Sequence, residues 1–153
     1  SALEAGKQAW MTDATWQPLR RYVEDTMAGR DPFESFVAQN VALDGLLYPL
    51  VYGRIVGELF ATQGGSVLSM LTQFMSDWSG ETTRWIDAVM KVATAESAAN
   101  RDQLRQWLAH WEARAAEALA PVAAIALGEA SDEELAAGRA ALRARLAKLG
   151  LGD

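Results

Sequence analysis

The stretch from Phe33 to Gln63 constrains this chain more than any other. Its apolar residues include Phe36, Val37, Val41, Leu43, Leu46, Leu47, Leu50, Val51, Ile55, Val56, Leu59 and Phe60. On a helix they wrap almost the whole way round. At about 100° per residue, Asp44, Arg54 and Glu58 share one arc of about 80°. A helix with so narrow a polar strip is surrounded by protein, which predicts a helical bundle. Asp31 caps its start, Pro32 takes the first helical position and Glu34 closes a capping box. Gly64-Gly65 is expected to stop it after Gln63. The ring of Pro49 would press on the carbonyl of Gly45, so a kink is expected between them, with the glycine giving room.

The rest of the chain reads as helix too. Ser1 to Met11 reads as a short helix or the frayed end of a longer one, and Thr15 is the expected cap for a helix from Trp16 to Ala28, closed by Gly29. From Ser66 to Ser97 the residues Leu71, Phe74, Trp78, Glu81, Trp85, Ala88 and Val92 alternate steps of three and four. That is one seam on one helix, uninterrupted by Ser79-Gly80. A further helix from Ala99 to Leu119 carries Leu104, Trp107, Leu108, Trp111 and Ala115 on one face. Pro121 is expected to kink or end it, with Val122 to Leu127 continuing as a helical turn before Gly128. Ser131-Asp132-Glu133-Glu134 opens a last helix with a second capping box, and residues 131–153 read as a surface or tail helix. Alanine supplies 20 of the 55 residues from Ala93 to Ala147, and alternating strand patterns are missing. The predicted fold class is all-α, in a single domain spanning residues 1–153.

Composition narrows the function classes. Fourteen basic residues stand against 20 acidic ones, with no basic block, which argues against nucleic acid and anionic membrane surfaces. The longest uncharged run, between Glu58 and Asp77, is too polar for a membrane span. Ser1 to Lys7 lacks the pattern of a targeting segment. Without cysteine there is no disulfide, thiolate metal site or thiol catalysis, which fits a reducing, cytoplasmic setting. A single histidine, His110, nearly excludes a zinc site built on imidazoles.

The remaining constellations have ordinary readings. Three residues before His110 stands Trp107, where a di-iron helix would place glutamate, so His110 reads as a surface or interface histidine. Glu81-Thr82-Thr83-Arg84 has the Glu-x-x-His spacing with arginine in place of histidine. Arginine has no lone pair to give a metal but can neutralise Glu81. The pair is either a plain surface pair or a buried ion pair in a former metal position. The six tryptophans, with Tyr48 and Tyr52, fit core or subunit interface better than a ligand pocket. Glu24-Asp25 and Asp132-Glu133-Glu134 read as solvated acids. No residue is assigned to catalysis, to a cofactor or to a metal.

Longer stretches carry a resemblance. They are Trp16-Gln17-Pro18-Leu19-Arg20-Arg21-Tyr22-Val23-Glu24, Asp31-Pro32-Phe33-Glu34-Ser35-Phe36-Val37-Ala38-Gln39-Asn40 and Asp44-Gly45-Leu46-Leu47-Tyr48-Pro49-Leu50-Val51-Tyr52. Asp77-Trp78, Glu81, Arg84-Trp85-Ile86-Asp87-Ala88-Val89, Asn100-Arg101, Trp107, Trp111, Arg114 and Ala120-Pro121-Val122 follow. In this order and spacing they resemble the β subunit of bacterial multicomponent phenol hydroxylases and toluene monooxygenases, which belong to the soluble di-iron monooxygenases.

The resemblance implies a ferritin-like bundle of long antiparallel helices with no metal of its own. It implies a non-catalytic structural subunit that scaffolds an α subunit, which holds the di-iron centre and hydroxylates phenol- or toluene-type rings. The implied partners are the α and γ subunits, an effector protein and a reductase. Those β subunits are about twice as long, and this chain resembles their C-terminal half. A half-bundle leaves apolar surface on the helices Phe33–Gln63 and Ser66–Ser97, so self-association of the isolated chain is expected. The alternative is a free-standing helical binding or oligomerisation module with an apolar pocket. An independent metal enzyme is disfavoured by the single histidine and by Arg84.

Overall fold

Local chemistry places most helix starts. In the computed structural model, which describes residues 1–60, 62 and 64–152, Ser1 Oγ accepts from the backbone N–H of Glu4 and opens α1, Ala2–Thr12. Helix α2, Gln17–Ala28, has no side-chain cap from Thr15. Instead Asp13 Oδ1 accepts from the Thr15 N–H at 2.8 Å, so a carboxylate two residues upstream organises the turn. Asp31 caps as expected, accepting from Phe33 N–H at 2.8 Å and Glu34 N–H at 3.4 Å.

The helix that follows, α3 (residues 32–60), is built of four consecutive segments. Pro32–Phe36 and Asp44–Tyr48 are α-helical, while Val37–Leu43 and Pro49–Phe60 are π-helical, with wider turns. The discontinuity predicted around Pro49 is thus a change from α-helical to π-helical turns that begins at the proline. Gly45 also serves a contact between helices. A Cβ there would lie 3.0 Å from Leu142 Cδ1, so the missing side chain lets the last helix approach. Gln63, the expected end, lies outside the described residues.

Helix α4, Ser66–Glu96, runs unbroken through Ser79-Gly80. Helix α5, Ala98–Leu127, continues through Pro121 and ends at Gly128, whose φ of 59° suits glycine. One 3-10 turn, Gly128–Ala130, leads into α6, Ser131–Ala147. No strand occurs among the described residues.

The core forms around α5, which packs on α2, on the first π segment of α3, on α4 and on α6. Its Ala115, Ala116, Ala118, Leu119 and Ala123 are buried. So are Val37, Ala38, Val41 and Ala42 opposite, all without solvent exposure. Small side chains on both surfaces bring the backbones close. Residues 131–153, expected as a surface or tail helix, supply Leu142, Leu146, Leu149 and Leu151 to this core.

Candidate functional site

Three arrangements collect the residues with chemical potential. The first stitches α2, α3 and α5 together in the interior. Tyr22, 1% exposed, donates from its hydroxyl to Ala38 O in the π segment at 2.8 Å. Its ring meets Trp111 edge-on at 5.3 Å. Burial pushes the Tyr22 phenol well above its ordinary range, so it stays a neutral donor. Glu34 does not close a capping box. Its Oε1 accepts instead from Trp111 Nε1 at 3.0 Å, 77 residues away in sequence. Arg114 lies over the Trp111 ring and pairs with Asp25.

The second arrangement fastens α6. Glu112 on α5 is buried and accepts from Arg139 Nε at 2.6 Å and Arg143 Nη2 at 3.0 Å. Burial alone would raise the Glu112 carboxyl, but the two arginine hydrogen bonds outweigh it and hold the group below its ordinary range. Arg145 binds Asp87 of α4 at 2.8 Å, and Arg54 of α3 binds Glu134 at 2.6 Å and Glu58 at 2.9 Å. Glu134 therefore serves a contact between helices, and no side chain caps α6. The single polar strip predicted on α3 is divided. Arg54 and Glu58 face the Glu134 side, whereas Asp44 is half-buried and hydrogen-bonded by Asn40. The π turns change the advance per residue between them. Burial raises the Asp44 carboxyl above its ordinary range, with Asn40 opposing.

The third is the seam on α4. Leu71, Phe74, Trp78, Trp85 and Val92 do share one face, and that face points to solvent. Phe74 is 64% exposed, Trp78 53% and Trp85 59%. The inward face is Ile86, Met90 and Thr94. Both tryptophans are held at one edge by α3: Trp85 meets Phe36 edge-on at 5.8 Å, and Trp78 lies 6.0 Å from Tyr48. Glu81 and Arg84 form an ion pair of 2.9 Å on the exposed surface, which overturns the buried alternative within this chain.

The other candidates disperse. His110 is an exposed helix residue against Trp111. Glu24 pairs with Arg20 at 2.8 Å and Asp25 with Arg114, and of the acids opening α6 Glu134 is taken by Arg54. The tryptophans do not share one pocket. Trp16 and Tyr52 line an open apolar groove of about 460 Å³ between α2, α3 and α5. Trp107 lines another, of about 250 Å³, beside Phe33.

A carboxylate-bridged iron pair needs several carboxylates and imidazoles on one spot. Among the described residues no three His, Cys, Asp or Glu side chains gather in that way. Asp25, Glu81, Asp87, Glu112 and Glu134 are each taken by arginine. The donor set among the described residues does not fit such a centre. Among the described residues no helix is long and apolar enough to cross a membrane. Local spacing gave no warning of the Glu112–Arg139–Arg143 clamp or of the Glu34–Trp111 bond, since both join distant segments.

Comparison with known proteins places this architecture. The methane/phenol/alkene hydroxylase family matches residues 1–97. The DmpL oxygenase component of phenol 2-monooxygenase from Pseudomonas sp. (strain CF600) is 51% identical over 150 residues, covering 98% of this chain and 44% of that protein. The MhpL oxygenase component of phenol 2-monooxygenase from Acinetobacter pittii (strain PHEA-2) is 38% identical over 126 residues, covering 82% and 38%. A chain in the crystal structure of xenon-pressurized phenol hydroxylase from Pseudomonas sp. OX1 superposes with a TM-score of 0.91 at 45% identity, covering 99% of this chain and 45% of that one. The chain thus spans less than half the length of these relatives. On sequence and on fold together, it belongs to the methane/phenol/alkene hydroxylase family.

Proposed function

We propose that this chain is part of the non-catalytic β-type subunit of a multicomponent hydroxylase acting on phenol-type rings. Its work is to support a partner chain that holds the di-iron centre and performs the hydroxylation. The observation that carries the reading is Arg84. It stands at the histidine position of a Glu-x-x-His spacing and is committed to Glu81 at 2.9 Å. A guanidinium offers a metal no lone pair and supplies a positive charge of its own. The outward α4 seam supports a role in contact, with the rest of such a subunit or with a partner chain. An effector protein and a reductase complete the proposed system.

Reconstitution tests this. Hydroxylase activity of the partner chains is expected to need the β-type subunit, and Arg84→Ala in that subunit is expected to weaken assembly while leaving iron per partner chain unchanged. Iron that binds stoichiometrically to the isolated chain, and is lost on Glu81→Ala, would overturn the reading.

A further inference from the structure

We infer that the cavity between α5, α6 and the turn after α6 is a site for a small oxyanion of the phosphate type. The cavity holds about 360 Å³, and Arg105, Arg139 and Arg143 all border it. Glu112 is the one carboxylate in its lining among the described residues. Glu112 is already spent, since Oε1 accepts from Arg139 Nε at 2.6 Å and Oε2 from Arg143 Nη2 at 3.0 Å. A guanidinium carries five N–H donors, so the clamp uses only one from each arginine. The other donors of Arg139 and Arg143 have no hydrogen-bond partner among the described residues. Arg105 gives Nη2 to Gly150 O at 3.2 Å, which fixes the turn after α6 as part of the wall.

The charge balance selects the ligand. Three guanidinium groups against one carboxylate leave an excess of two positive charges in the lining. The chain as a whole carries −6 and repels anions, so this cavity runs against the general field. Two acids outside the lining reduce the excess without filling the site. Asp102 approaches Arg105 Nη1 at 3.6 Å, beyond a hydrogen bond, and is 67% exposed, where solvent screens it. Glu117 is exposed and acts on Arg139 only through space. The forked donors of arginine match the oxygens of a phosphate two at a time. Leu108 and Leu146 are buried in the same lining, and apolar walls strengthen each charged contact. Every group belongs to residues 105–152, on segments packed against one another, so the imbalance holds whatever surrounds the chain.

The site is independent of the assignment to a hydroxylase. Thermal unfolding of the chain in potassium phosphate and in potassium chloride, at pH 7 and equal ionic strength, tests it. Phosphate about tenfold above its dissociation constant is expected to raise Tm by about 3 °C. Phosphate also stabilises proteins generally, by exclusion from their surfaces, so substitutions decide the matter. Arg105→Gln leaves the Glu112 clamp in place and is expected to remove at least about half of the shift, as is Arg143→Gln. Arg30→Gln, exposed and outside the lining, is expected to keep it. Asp153 follows Gly152 in the sequence and is a second source of an anionic group. A larger phosphate shift in Asp153→Asn would identify that carboxylate as the natural occupant, and an unchanged shift a free anion. No shift in either the wild type or Asp153→Asn would overturn the site, and so would a shift that survives both arginine substitutions.

Discussion

Helices α4 and α5 are nearly equal in length, at 31 and 30 residues, yet they treat their side chains in opposite ways. α5 buries nine residues, four of them alanine, and α4 buries three. The bulky residues Phe74, Trp78 and Trp85 stay outside, while alanines hold the centre. Size alone therefore does not decide what is buried. The centre of the fold selects small residues that let helices meet closely, whereas α4 keeps large anchors of the kind that dominate contacts between chains.

Equivalent truncations on the two helices should break or sharpen this contrast. Leu119→Ala on α5 is expected to cost about 2–5 kcal/mol of folding stability, because its site is almost fully enclosed. A loss below 1 kcal/mol in chemical denaturation would mean that α5 is not the centre. Glu112→Gln is expected to cost about 1–3 kcal/mol at neutral pH by weakening the α5–α6 clamp. Its folded pKa is lowered, so the stabilisation is present above the ordinary carboxyl value and is lost as pH falls through the folded value. The gap between wild type and Glu112→Gln should accordingly close in acid, and a gap constant from pH 7 to pH 3 would contradict the clamp. Tyr22→Phe is expected to cost about 1–1.5 kcal/mol, the worth of one buried hydrogen bond to Ala38 O. Phe74→Ala on α4 is expected to change the folding stability of a monomer by less than about 0.5 kcal/mol. A large loss there would show that the seam packs within its own chain. Asp44→Asn should be neutral or slightly stabilising, by less than about 1 kcal/mol, since burial disfavours the charge it removes.

The legible part of this fold was the part written in short-range chemistry. The Asp31 cap, the Gly128 stop and the continuity of α4 across Ser79-Gly80 all rest on residues within a few positions of each other. The family could be read for a different reason, since the order of many small motifs is distinctive. What stayed hidden depends on distant partners. Glu34 and Glu134 fit capping boxes by spacing, but Trp111 and Arg54 compete for them and win. Heptad spacing located the α4 seam but carried no sign of which way it faces. The Glu81–Arg84 spacing likewise said nothing of exposure. The last helix looked like a tail because its charges suited a solvated face, yet Arg139, Arg143 and Arg145 are the side chains that fasten it down.

The π-helical segments of α3 carry a consequence for how such a chain tolerates change in length. A wide turn holds one residue more than the α-helical turn it replaces. Deleting a single residue between Val37 and Leu43 could therefore be absorbed by narrowing that turn, leaving Leu46, Leu50 and Arg54 aimed as before. The same deletion within α5 would rotate everything beyond it by about 100° and turn its alanine face away from the core. Viable one-residue length variants should accordingly collect in α3 and be excluded from α5.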